Sequence, residues 1–163
     1  MGSDTRSRAA ALSDVVFRPA RNDDLAEVAE LERTCYRDPW PGSAFASLPD
    51  NSRVYFSVAR EGMSDRLAGY IIGWYVMDEG ELANLAVAPE WRGRGIGRAL
   101  LDTMLEDATR RGISKIFLEV RESNVAARTL YASRDFSEIG RRKRYYRSPV
   151  EDALILRRTL PAR

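Results

Sequence analysis

The stretch ELANLAVAPEWRGRGIGRALL, Glu81 to Leu101, decides the reading of this chain. An apolar run, ANLAV, stops at Pro89. A turn follows with glycines at 93, 95 and 97 set among Arg92, Arg94 and Arg98, and a run of helix formers comes after it. A glycine-rich turn entering a helix presents amides that lack intrahelical acceptors, and the helix dipole adds partial positive charge there. Such a turn cradles an anion, most often a phosphate. Two common phosphate motifs fail on counting. The P-loop ends in Gly-Lys-Ser/Thr, whereas Gly97 is followed by Arg98 and Ala99. The dinucleotide pattern needs a third glycine, and Arg98 or Leu100 stands in its place. The arrangement present is R-x-x-G-x-G, carried by Arg92, Gly95 and Gly97.

Downstream, Ile96, Leu100, Met104 and Ala108 recur every fourth residue, Leu101 and Leu105 widen that face, and Gly112 ends the helix. KIFLEV (115–120) is then a strand reached through a helix, as in a parallel crossover. SNVAARTLYASR (123–134) reads as a shorter helix capped by Ser123 or Asn124. Two closing strands, SEIGRRKRYY and DALILRRTL, surround the turn RSPVE. Upstream come a strand at 15–20, a helix capped by Asn22 or Asp23, and a break at DPWPGS (38–43). A short helix at 43–48 and strands at 53–60, 67–77 and 80–87 complete the order. The order β-α-α-β-β-β-α-β-α-β-β predicts an α/β (α+β) protein with a mixed sheet.

With 163 residues, 44% hydrophobic and 31% charged, residues 14–163 are expected to form one domain behind a disordered lead-in, 1–13. A net charge of +2 demands neither nucleic acid nor membrane as partner. No apolar run approaches a membrane span, and the first residues lack the apolar core of a secretory leader, so a cytoplasmic protein is expected. The single cysteine, Cys35, fits a reducing compartment, and its helical position suits packing better than nucleophilic attack. There is no histidine. That excludes a Ser-His-Asp triad, a Cys-His dyad and His-ligated metal, so no metal is expected.

Taken together, ELANLAVAPEWRGRGIGRALL, LEVRESNVAARTLY and YYRSPVEDALIL resemble the GNAT superfamily of N-acetyltransferases over residues 15–160. The pattern LEVR-x-SN-xx-A-xx-LY, with CYRDPW and YY-xx-P-x-EDA, is similar to the RimI branch, the ribosomal-protein-alanine N-acetyltransferases. The resemblance implies the GNAT fold, a mixed central sheet with splayed strands flanked by about four helices. It implies acetyl-CoA as cosubstrate, with its pyrophosphate on Gly93, Arg94, Gly95, Ile96, Gly97 and Arg98. Its pantetheine arm would pair with Leu85, Ala86 and Val87, Asn124 would contact it, and an amide near Val87 would polarise the acetyl carbonyl. Glu119 is implied as general base, through a water, and Tyr131 as the acid that protonates the leaving thiolate. Trp40 of the DPW loop and Tyr146 would contact the peptide. The chain departs from the family pattern at Asp135, where a glycine is common before phenylalanine, and at Pro41, where the branch often has serine.

Residue chemistry alone leaves competing readings. Glu119 is equally an outward strand residue paired with an arginine, Tyr131 a core tyrosine, and RRKRYY an exposed strand or an RNA-binding patch. Substrate chemistry favours an N-terminus. An α-amino group, with pKa about 7.7–8.0, is roughly one-tenth neutral at pH 7, whereas lysine, near about 10.4, is almost wholly charged. The expectation is an enzyme acting in a ternary complex on the N-terminal alanine of a small-subunit ribosomal protein, and monomeric. The rivals are an acetyltransferase for lysine or a small amine, and a ribosome- or RNA-binding module on the same scaffold.

Overall fold

The computed structural model describes residues 12–162, so the expected lead-in lies outside the described residues except for its last two. The elements are β1 (Val15–Pro19), α1 (Leu25–Cys35), β2 (Val54–Glu61), β3 (Leu67–Val76), β4 (Glu79–Val87), α2 (Ile96–Arg110), β5 (Lys115–Arg121), α3 (Val125–Ala132), β6 (Ser137–Arg147) and β7 (Val150–Thr159). The seven strands form one mixed sheet in the order β1-β2-β3-β4-β5-β7-β6. The strand assignments from alternation hold throughout. The described residues contain three α-helices, one fewer than expected. Between Pro41 and Pro49 only a single 3-10 turn forms, Gly42–Phe45, because proline blocks further helical bonding on either side. None of the described helices is long and apolar enough to cross a membrane.

By their contacts the residues fall into two compact units. Among the described residues, the first comprises 12–72 and 84–104. Its core holds Val28, Phe45, Val58, Tyr70, Ile71 and Ile72, with Ile96, Leu100 and Met104 from the predicted face of α2. Close packing there requires Gly69, since a Cβ would stand 2.7 Å from the Ala86 carbonyl oxygen. The start of α1 corrects the expected cap. Asn22 and Asp23 lie in a 3-10 turn, and Asp24 is the acid that matters. Its buried carboxylate accepts hydrogen bonds from Arg18 (2.7 and 2.8 Å), the Arg21 amide (2.7 Å) and Arg60 (2.9 Å). Burial pushes its pKa up, yet these donors outweigh burial and hold it at about 2.

The second unit comprises residues 73–83 and 105–162 of those described. Here β5 pairs with β7 over its whole length, and β7 with β6. Its core includes Ile116, Leu118, Val120, Tyr131, Phe136, Leu154 and Leu156. The parallel β4–β5 ladder holds three pairs, Glu79–Glu81 with Lys115–Phe117. It ends there, while β4 runs on to Val87, which is the splay expected of the strands. Asp135 has φ +62°, the left-handed conformation the resemblance places at a glycine.

Candidate active site

In the first unit, β4 leads through a 3-10 turn, Pro89–Trp91, into the glycine stretch. Gly93 and Gly95 take φ of +76° and +85°, which side chains disfavour, and a Cβ on Gly93 would meet nothing within 4 Å. The first bond of α2 runs from the Ala99 amide to the Gly95 carbonyl at 3.0 Å. The amides of Ile96, Gly97 and Arg98 therefore stand ahead of the helical ladder, at the positive end of the dipole. The arginines divide their tasks. Arg94 lies 4.8 Å over the Trp91 ring, while Arg92 turns back to donate to the Val87 carbonyl (3.1 Å) and touches the Cys35 sulfur (3.4 Å). Cys35 itself is half-buried, and burial pushes its thiol pKa up, which suits packing rather than attack.

The backbone of Leu85, expected to face the pantetheine arm, is engaged by a residue that sequence reasoning missed. The Tyr36 hydroxyl donates to the Leu85 carbonyl at 2.7 Å and accepts from the Leu85 amide at 3.2 Å. One hydroxyl thus occupies both hydrogen-bonding groups that an incoming strand would use. Ala86, one position on, is buried within the unit.

A second missed cluster lies beneath the DPW loop. Glu32 is only 1% exposed. Its carboxylate accepts from the Tyr70 hydroxyl, from Asn84 Nδ2 (3.0 and 2.9 Å) and from the Trp40 amide at 3.1 Å. Burial and the neighbouring Tyr36 and Glu32 hold the Tyr70 proton on well above the ordinary phenol range. The Trp40 ring packs 5.7 Å from that of the fully buried Phe45. The sequence did carry a signal: Glu32 falls four residues after Val28 on the apolar face of α1, and Asn84 falls on the inward alternation of β4 with Leu82 and Ala86.

In the second unit, β5 alternates strictly, with Ile116, Leu118 and Val120 on one face and Lys115, Phe117, Glu119 and Arg121 on the other. Glu119 is thus an outward strand residue, one of the readings that residue chemistry left open. It is partly buried and bound to Arg142 of β6, Oε1 to Nε 2.7 Å. Tyr145 also hydrogen-bonds Glu119, whose charge holds the Tyr145 proton on, and Tyr145 meets Tyr146 edge to face at 5.1 Å. Burial, then the Glu119 charge, pushes Tyr146 up to about 12. Tyr131 is buried on α3 against Phe136, and burial, then Tyr146, raises its pKa further, so it stays protonated at any ordinary pH. The structure therefore groups Glu119, Tyr146 and Tyr131 within one unit and adds Tyr145 and Arg142. Asn124 caps α3, its Oδ1 accepting from the Ala127 amide at 3.1 Å.

The basic run changes meaning. Arg141 is held by Glu122 (3.0 Å), Asp152 (3.2 Å) and Glu138 (3.5 Å), and Arg142 by Glu119. Two of the four cations in RRKR are spent inside the protein.

The acetyltransferase (GNAT) family model matches residues 25–136. The chain is 36% identical over 135 residues to the ribosomal protein bS18-alanine N-acetyltransferase of Escherichia coli, covering 82% of this chain and 89% of that one. It is 32% identical over 136 residues to the enzyme of the same name from Haemophilus influenzae, covering 82% and 90%. The crystal structure of the ribosomal-protein-S18-alanine N-acetyltransferase from Escherichia coli superposes with a TM-score of 0.83 at 31% identity, covering 91% of this chain and 96% of that one. A glycine turn at a helix N-terminus, an early-ending parallel ladder, a carboxylate–tyrosine cluster and these likenesses agree: the chain belongs to the acetyltransferase (GNAT) family.

Proposed function

We propose that this protein moves the acetyl group of acetyl-CoA directly to the α-amino group of an N-terminal alanine on a small-subunit ribosomal protein, in a ternary complex and without metal. The observation that carries this reading is the 36% identity, over most of both chains, to an enzyme whose name states that reaction. A ribosomal substrate fits action in the cytoplasm, and residues 14–163 act in this reading as one monomeric catalytic domain.

The chemistry assigns each group a task. The amides of Gly93–Arg98 suit a pyrophosphate, since two left-handed glycines and a helix N-terminus concentrate donors there. Pantetheine pairing along Leu85–Val87 exchanges the Tyr36 hydroxyl for the cofactor's own amide groups. An amide near Val87 stabilises the oxyanion. Asn124, placed by its cap at the start of α3, contacts the cofactor. The substrate nitrogen attacks the acetyl carbon, its proton passes to Glu119 through a water, and the C–S bond breaks. The departing thiolate takes its proton from Tyr131, which burial keeps protonated. Trp40, held by its amide on Glu32, and Tyr146 contact the peptide.

The ion pairs of Arg141 and Arg142 weaken the RNA-binding reading, because those charges are already compensated. The test is mass spectrometry after incubation with acetyl-CoA and three acceptors: an Ala-starting peptide, its N-blocked lysine-containing version and a polyamine. Acetylation of the α-nitrogen is expected. Preference for the blocked peptide overturns the N-terminal reading.

A further inference from the structure

The proposed base is not a bare carboxylate. Arg142 Nε stands 2.7 Å from Glu119 Oε1, although the two strands are separated in the sheet by β7. A local irregularity of β6 adjoins this contact. Arg142 pairs with Ala153 and Tyr146 with Glu151, so three residues of β6 oppose one of β7. Arg144 takes φ +53° in that bulge, and its amide is fixed by Asp152 at 3.0 Å. The Arg142 guanidinium also lies 5.6 Å over the Tyr145 ring. The other groups around Glu119 are accounted for. Tyr145 and Tyr146 come from β6, and Glu81 of β4 acts on Tyr145. Arg121, on the same strand, is turned to the Tyr146 ring at 4.0 Å and to Glu151 at 3.0 Å.

The geometry points to Arg142 as a specificity-determining residue: by neutralising the Glu119 carboxylate, it favours amines that arrive uncharged and so selects an α-amino group over a lysine side chain. This rests on the reading of Glu119 as base. A lone carboxylate attracts every ammonium, and lysine, almost always protonated, would gain most from it. A guanidinium that never loses its proton cancels this attraction. An arriving ammonium must then displace Arg142, whereas a neutral amine needs only a proton acceptor, which the second carboxylate oxygen or a bound water supplies. Arg142 is 57% exposed in its side chain, so water screens the effect. The expected discrimination is about fivefold.

The experiment compares Arg142→Gln and Arg142→Lys with the unaltered protein. The substrates are an Ala-starting peptide without lysine and an N-blocked peptide with one lysine, each with acetyl-CoA. Arg142→Gln is expected to lower the ratio of kcat/KM for the α-amino peptide to that for the lysine peptide about fivefold. Arg142→Lys keeps the charge and keeps the ratio near that of the unaltered protein. An unchanged ratio in Arg142→Gln overturns the inference. Glu119→Gln separates the two levels. If it abolishes turnover while Arg142→Gln changes nothing, only the role of Arg142 falls; if it remains active, the base and this inference fall together.

Discussion

Glu32 in the first unit and Glu119 in the second are both glutamates among tyrosines, yet they are built for opposite ends. Glu32 is buried and saturated: one phenol, one side-chain amide and one backbone amide fill its acceptor positions. Every donor comes from the protein, so it holds elements in place and has nothing left to exchange. Glu119 sits on the polar face of β5, is 24% exposed in its side chain, and shares its charge with a solvent-exposed arginine. Its partners can be traded for a substrate or a water. Burial with complete hydrogen bonding makes a carboxylate structural; partial exposure with a replaceable partner leaves it available for chemistry.

The same substitution at both positions breaks this comparison most sharply. Glu119→Gln is expected to lower kcat by about 10²–10⁴-fold, the usual worth of a general base, with acetyl-CoA affinity and the melting curve nearly unchanged. Steady-state kinetics with equilibrium CoA binding checks it. Glu32→Gln places an amide where only acceptors are wanted and strands one buried donor, costing about 1–3 kcal/mol by urea denaturation. Its kinetic effect should fall on KM for the peptide, through the Trp40 loop, more than on kcat. Should Glu32→Gln instead abolish turnover in a fully stable protein, the division between the two glutamates is wrong.

Asp24 sharpens the comparison as a third, wholly structural acid. Its folded pKa of about 2 lies below the ordinary aspartate value of 3.8. Its stabilisation is therefore fully present above about pH 4 and lost as pH falls through about 2. At one pKa unit per 1.36 kcal/mol this amounts to about 2 kcal/mol at neutral pH. Asp24→Asn should lose about that much at pH 7, and the gap to the unaltered protein should close in acid; a gap independent of pH would contradict it. The smallest effect belongs to Asp135→Gly. Relieving a left-handed aspartate should stabilise the fold by about 0.5 kcal/mol, with no change in kcat, measured as a small rise in Tm.

Much of this was legible before any coordinates. The glycine turn, the α2 face from Ile96 to Ala108, the Asn124 cap and the left-handed Asp135 are local, set by propensity and by conformations few residues tolerate. The inward positions of Glu32 and Asn84 were readable from period and went unread. Partnership was not readable. Tyr36 finds Leu85 49 residues away, and Glu32 finds Asn84 52 away. Arg142 reaches across an intervening strand to Glu119, beside a bulge that no pattern in RRKRYY announces.

By itself, then, the sequence determined the strands and helices, the family, and the residue types available for acetyl transfer without histidine. Only the tertiary structure decided which glutamate is locked and which is exchangeable. Hydrogen bonding and charge pairing act over a few ångströms in space, and chain separation does not encode which groups will stand that close.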